Sequence, residues 1–111
     1  MNTASDKFSP LRKGLLEFVV LKIIAAHKVY AADILERLSK TDFAAGEGTL
    51  YPLLSRLRRE KLVDYEWVES EAGPPRKYYR LTAAGTQHLA GLEDYWKHLT
   101  KMLKELGANH A

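Results

Sequence analysis

Cysteine is absent from the 111-residue chain, which removes disulfides, thiolate nucleophiles and cysteine-ligated zinc from consideration. Long apolar runs are missing as well. The longest, Leu15 to Ala26, is interrupted by Glu17 and Lys22, too short and too charged to span a bilayer. Met1 to Pro10 is polar, without the apolar core of a signal peptide, so a soluble cytoplasmic protein that meets no membrane is expected. There is no glycine-rich phosphate loop and no nucleophile elbow. The four histidines, His27, His88, His98 and His110, lack the i, i+4 spacing of a helical metal pair and the carboxylates to complete one. Neither an enzyme nor a metal or cofactor site is expected.

What is present fits one small domain with an appended helix. Hydrophobic residues make up 46% and charged residues 28%, enough apolar material for a core and too much for a disordered chain. The net charge of +3 and the pI near 9.2 are compatible with a nucleic-acid partner without diagnosing one. The expected organisation is an N-terminal arm at 1–9, a main domain at 10–82, an appended helix at 83–107 and a tail at 108–111.

Pro10 suits the first turn of a helix, where its missing N–H costs nothing. That helix runs to about His27 and is apolar over more than one stripe, through Leu15-Leu16, Phe18-Val19-Val20-Leu21 and Ile23-Ile24. Such a helix is buried on more than one side. Either it is the central helix of a monomeric core, or it is shared between the core and a partner. The second reading is preferred, with Leu16 and Val20 at the interface.

A second helix is predicted from Ala31 to Lys40, with Ile34, Leu35 and Leu38 on one side. Thr41 to Gly48 is the turn to a third helix, in which Leu50, Leu53, Leu54 and Leu57 form a stripe at i, i+3, i+4 and i+7. Opposite lie Pro52, Ser55 and Arg59, with Tyr51 and Arg56 on the flanks. Pro52 is expected in the first turn of a helix starting near Gly46–Gly48. From Leu62 the period becomes two: Val63, Tyr65 and Trp67 alternate with Asp64, Glu66 and Val68. Gly73-Pro74-Pro75 reads as the turn of a two-stranded hairpin that returns through Arg76 to Leu81. Alternation makes Tyr79 a core residue rather than a contact. Thr82 is a good N-cap for a last helix ending at Leu106, with Gly107 as its stop.

That last helix carries a heptad seam: Leu89, Leu92, Trp96, Leu99, Leu103 and Leu106 are spaced 3, 4, 3, 4 and 3. At about 1.5 Å per residue it is roughly 36 Å long, more than closing a small core requires. A homodimer buried along this seam is expected.

A helix with one apolar stripe and one polar, basic face, followed by a basic hairpin, is the layout of a winged helix-turn-helix. Major-groove readout needs polar side chains on the exposed helix face, with cations for phosphates and guanine edges. Thr49, Tyr51, Pro52, Ser55, Arg56, Arg59 and Lys61 supply that set, with Arg56 the first choice for a base and Arg59 and Lys61 for phosphates. Arg76 and Lys77, expected at the hairpin tip, are placed to reach backbone phosphates or the minor groove. The bland alternative makes Arg56, Arg58, Arg59 and Lys61 an ordinary solvated face.

The segments Gly48-Thr49-Leu50-Tyr51-Pro52-Leu53-Leu54-Ser55-Arg56-Leu57 and Arg76-Lys77-Tyr78-Tyr79-Arg80-Leu81-Thr82 resemble, in order and wording, the PadR family of bacterial transcriptional regulators. The resemblance runs from about Leu11 to Leu103. It implies that the third helix enters double-stranded DNA, that Tyr30 holds a phosphate, and that a homodimer represses transcription from an inverted-repeat operator. It also implies a planar hydrophobic effector between the C-terminal helices. Trp96 matches the stacking tryptophan of one multidrug-sensing branch, with Tyr95, Leu92 and Leu99 around it; the preferred reading of the heptad makes Trp96 a seam residue buried in the dimer.

The sequence departs from the family pattern at Tyr30-Ala31, where Tyr-Gly is usual, and at Gly73-Pro74-Pro75-Arg76, where Gly-Gly-Arg is frequent. Asp64, Glu66, Glu69 and Glu71 make the wing acidic, which weakens phosphate attraction unless they face away. Two other functions remain open: a winged-helix adaptor binding protein rather than DNA, and a nonspecific binder with a steep salt dependence.

Overall fold

A computed structural model describes residues 7–108. Residues 1–6 of the expected arm and 109–111 of the expected tail, His110 included, lie outside the described residues. Among the described residues four helices pack with one antiparallel sheet: α1 Ser9–Ala26, β1 Val29–Tyr30, α2 Ala31–Ser39, α3 Glu47–Arg59, β2 Val63–Ser70, β3 Gly73–Leu81 and α4 Ala83–Ala108. The sheet order is β1-β3-β2. The wing therefore has three strands rather than two, because Val29 and Tyr30, beside Tyr79 and Tyr78, add a short third strand. Two residues give no period to read.

The core is one cluster: Val20, Leu21 and Ile24 of α1, Val29 of β1, Ile34 and Leu38 of α2, Leu50, Leu54 and Leu57 of α3, and Val63, Tyr79 and Leu89. Each fully buried Leu, Ile or Val contributes about 1.5–3 kcal/mol over an exposed one. This places Val20 and Leu89 inside the chain's own core, a correction to their assignment to a dimer interface. Leu16 and Leu92 are half-buried against that core. The heptad seam thus splits. Its first two positions serve the monomer, while Trp96, Leu103 and Leu106 are exposed, Leu106 at 63%.

Several boundaries differ from expectation for definite reasons. Pro52 lies at the sixth residue of α3, in its second turn. The N–H it lacks would have met the carbonyl of Gly48, an exposed residue, so nothing buried is left unpaired. Gly107 does not stop α4, which continues to Ala108; a helix end exposed to solvent tolerates glycine at modest cost. The hairpin turns at Glu71-Ala72, with Pro74 and Pro75 inside β3. There β1 has already ended and the ladder is irregular between Val68 and Ser70, which suits residues without a donor. Arg76 and Lys77 consequently sit in the body of β3, not at the tip.

Two local devices seat α3 and α4. The end of α3 closes with Leu62 N–H donating to the Leu57 carbonyl and Lys61 N–H to that of Arg58, both at 2.9 Å. This is a Schellman closure, with Lys61 in the left-handed region at φ 63°. Thr82 caps α4, accepting the Gly85 N–H at 2.9 Å, while its own N–H donates to the Leu62 carbonyl at 3.0 Å. Both devices meet at Leu62.

Candidate nucleic-acid interface

The leucine stripe of α3 turns inward and leaves two flanks that differ in what they meet. On one flank, Tyr51, Ser55, Arg58 and Arg59 look across a cleft toward the wing. Part of this cleft, about 620 Å³, is lined by Ser55, Arg58, Arg59, Lys61, Tyr65 and Lys77 among others. A neighbouring part, about 530 Å³, is lined by Tyr30, Tyr51, Ser55, Trp67, Arg76 and Lys77 among others. The register pairs Trp67 with Lys77 and Tyr65 with Tyr79, so these four side chains share the sheet face turned to α3. Tyr79 is buried, and burial foremost, then the neighbouring Tyr65 and Tyr51, raises its hydroxyl above the ordinary tyrosine value.

The other flank meets α1. Arg56 donates from Nη2 to Glu17 Oε1 at 2.7 Å and from Nη1 to Glu60 at 3.1 Å. Glu17 also pairs through Oε2 with His88 Nε2 of α4 at 2.9 Å. Burial alone would raise the Glu17 carboxyl; the hydrogen bonds from Arg56 and His88 outweigh it, and the net direction is down. The Arg56 guanidinium is pushed up, first by its bond to Glu17 and then by Glu60. Arg56, the first choice for a base contact, is therefore half-exposed but tied into a junction of three helices. Thr49 is exposed on this same side, in a hollow with Ser9, Arg12 and Lys13.

Two groups stand out among the cations. Lys22, Lys28, Arg56, Arg58 and Arg80 all form ion pairs. Arg59, Lys61, Arg76 and Lys77 form none among the described residues, and all four border the cleft between α3 and the wing. Lys7, Arg12, Lys13, Arg37, Lys40, Lys97, Lys101 and Lys104 also form no ion pair among the described residues but do not line this cleft. Glu66 pairs with Lys28 at 2.8 Å and Arg80 at 3.1 Å; Lys28 first, then Arg80, holds its carboxyl below the ordinary range. By alternation Asp64 and Glu66 sit on the sheet face opposite Tyr65 and Trp67, and Glu66 lines neither part of the cleft. Asp64 nonetheless reaches the cleft edge and pairs with Arg58 at 3.7 Å.

Residues 20–91 match the Transcriptional regulator PadR-like family. The chain belongs to this family. Among solved structures it is similar to a PadR-like transcription factor from Bacteroides fragilis, with 44% identity, 91% of this chain and 98% of the other covered, and a TM-score of 0.78. A PadR-like transcriptional regulator from Bacillus cereus is 35% identical over 88% of this chain and 96% of its own, with a TM-score of 0.79. A PadR family transcriptional regulator from Eggerthella lenta is 30% identical, covers 97% and 95%, and has a TM-score of 0.83. An uncharacterised protein from Lysinibacillus sphaericus is 26% identical over 98 residues, 86% of this chain and 90% of the other.

In this PadR-like chain Tyr30 stacks on Tyr78, centroids 3.9 Å apart, beneath the Arg76 guanidinium at 4.9 Å. Its backbone N–H donates to Asp33 Oδ2 at 3.1 Å, half of a capping box on α2. At the far end, Phe18 of α1 meets Trp96 edge-on at 6.5 Å, next to exposed Tyr95 and half-buried Leu92 and Leu99. Arg58, Tyr65 and Trp67 line the cleft although the sequence reading assigned them no contact. The signal was there: Arg58 lies on the Tyr51 flank of the helical wheel, and Tyr65 and Trp67 share the phase of Tyr79. Nothing local in the sequence pointed to the Glu17–Arg56–His88 junction, whose members lie far apart along the chain. No described helix is long and apolar enough to cross a membrane.

Proposed function

We propose that this PadR-like regulator binds an inverted-repeat operator as a homodimer and represses transcription from it. One observation carries the reading: four cations without a carboxylate partner among the described residues, Arg59, Lys61, Arg76 and Lys77, gather on the cleft between α3 and the wing. Cations left unpaired beside an exposed helix face lower the cost of approaching a polyanion. Tyr51, Ser55 and Arg59 are the base-reading set, Lys61, Arg76, Lys77 and Tyr30 contact phosphates, and Arg56 positions α3 from behind. The exposed apolar run Tyr95, Trp96, Met102, Leu103 and Leu106 supports pairing of α4 with a second copy. A two-fold dimer then spaces its half-sites by about one helical turn or a multiple.

Trp96, 41% exposed and edge-on to Phe18, supports a stacking site for a planar aromatic effector. The deciding experiment is a gel shift on the upstream region of the chain's own gene, with Arg59→Ala beside the parent and sedimentation of the free protein. A specific shift lost in Arg59→Ala, from a dimer, is the expected result. A protein that shifts nothing is an adaptor, and one that shifts random duplex equally is a nonspecific binder; either overturns the proposal.

A further inference from the structure

We propose that Trp67 is a DNA-contacting residue of the wing, lying against the sugar–phosphate backbone beside Lys77. The inference rests on the DNA-binding reading above and adds a contact of a different chemistry. Trp67 is 62% exposed, a large apolar ring that contributes little to the core. Its position is nevertheless built. The Lys77 ammonium stands 5.4 Å from its ring centre and Tyr65 meets it edge-on at 6.2 Å. Tyr65 is itself held between two cations, the Arg58 guanidinium at 4.3 Å from α3 and the Lys77 ammonium at 4.4 Å from β3. The indole is thus fixed relative to the exposed side of α3, across the part of the cleft that it shares with Tyr51, Ser55, Arg76 and Lys77.

Among the described residues no carboxylate lines that part of the cleft, while Arg76 and Lys77 do, so its electrostatics favour a polyanion. A duplex seated on α3 passes over this ring. Deoxyribose offers C–H surface to the indole face, and the indole N–H can donate to a phosphate oxygen. Such a contact reads neither base identity nor charge. It therefore adds affinity equally to all sequences and leaves the counterion term unchanged.

The test uses the full chain labelled with fluorotryptophan, whose two fluorine resonances are assigned with W67F. A short random-sequence duplex at low salt is the first probe, and the chain's own upstream region is the second. The Trp67 resonance is expected to move as duplex binds. W67A should weaken binding to both probes by roughly tenfold, as for a tryptophan at an interface centre, with an unaltered salt slope. K77A should lower that slope by about one. A duplex that binds while the Trp67 resonance stays still, or a folded W67A with parental affinity, overturns this inference and leaves the regulator reading standing. A chain that binds neither duplex overturns both. Should W67A unfold, the resonance in the unsubstituted chain still decides.

Discussion

Gly85→Ala is the substitution whose cost follows most directly from the packing of α4 on Leu62. Gly85 is buried in the first turn of α4 and does not need a positive φ; it is there because the backbone comes close. A Cβ at this position would stand 1.9 Å from the Leu62 carbonyl oxygen and 2.9 Å from its carbon. An ordinary carbon–oxygen contact is about 3.3 Å or more, so one backbone must retreat by roughly 1.4 Å. The obstacle is main chain, which cannot rotate away as a side chain would. Leu62 is also where the Thr82 N–H bond and the Schellman closure of α3 meet.

Overpacking costs about 1–3 kcal/mol, and each strained hydrogen bond about 0.5–1.5 kcal/mol. Replacing glycine in a helix returns roughly 1 kcal/mol. The net loss is about 2 kcal/mol, or on the order of 10 °C in melting temperature for a chain of this size. Circular dichroism melts at equal protomer concentration measure it. Gly91→Ala is the matched control: it lies in the same helix with nothing within 4 Å of the added Cβ, and it should melt higher by a few degrees. A Gly85→Ala protein melting at or above the parent would refute the close-approach argument, and with it the rigid seating of α4 on the end of α3.

Arg59→Ala should weaken duplex binding and lower the salt slope by about one, whereas Arg56→Ala should cost about 1 kcal/mol of stability, discounted for its 42% side-chain exposure, with a smaller effect on affinity; chemical melts beside gel shifts separate the two. Glu17 has a folded-state carboxyl pKa below its usual value near 4.5, so its stabilising contribution is present above that value and is lost as pH falls through the lower folded value. Melts followed from about pH 5 down to about pH 3 should therefore fall less steeply for Glu17→Gln than for the parent. Lys61→Gly removes a left-handed non-glycine residue costing about 1–2 kcal/mol and adds glycine's entropic cost of about 0.5–1 kcal/mol, so the variant should melt slightly higher while binding DNA more weakly. A paired Leu103→Lys, Leu106→Lys variant should sediment as a monomer at concentrations where the parent is a dimer, with its melting little changed because neither leucine belongs to the monomer core.

Local pattern alone determined much of this protein. The i, i+3, i+4, i+7 leucines set α3 and its inward face, the period-two run set β2, and Thr82 set the start of α4, because each depends on neighbours within a turn or a strand pair. The family was legible from two short segments for the same reason. Contacts between distant segments required the folded chain. Periodicity marks Val20 and Leu89 as apolar but cannot say whether a neighbouring element or a second copy covers them. Composition counts Arg56 and Arg59 alike, yet only folding brings Glu17 and His88 beside the former and leaves the latter without a carboxylate partner among the described residues. The two-residue β1 was likewise invisible, since it exists through its pairing with β3. An amphipathic pattern fixes which way a side chain turns; what it meets there depends on elements tens of residues away.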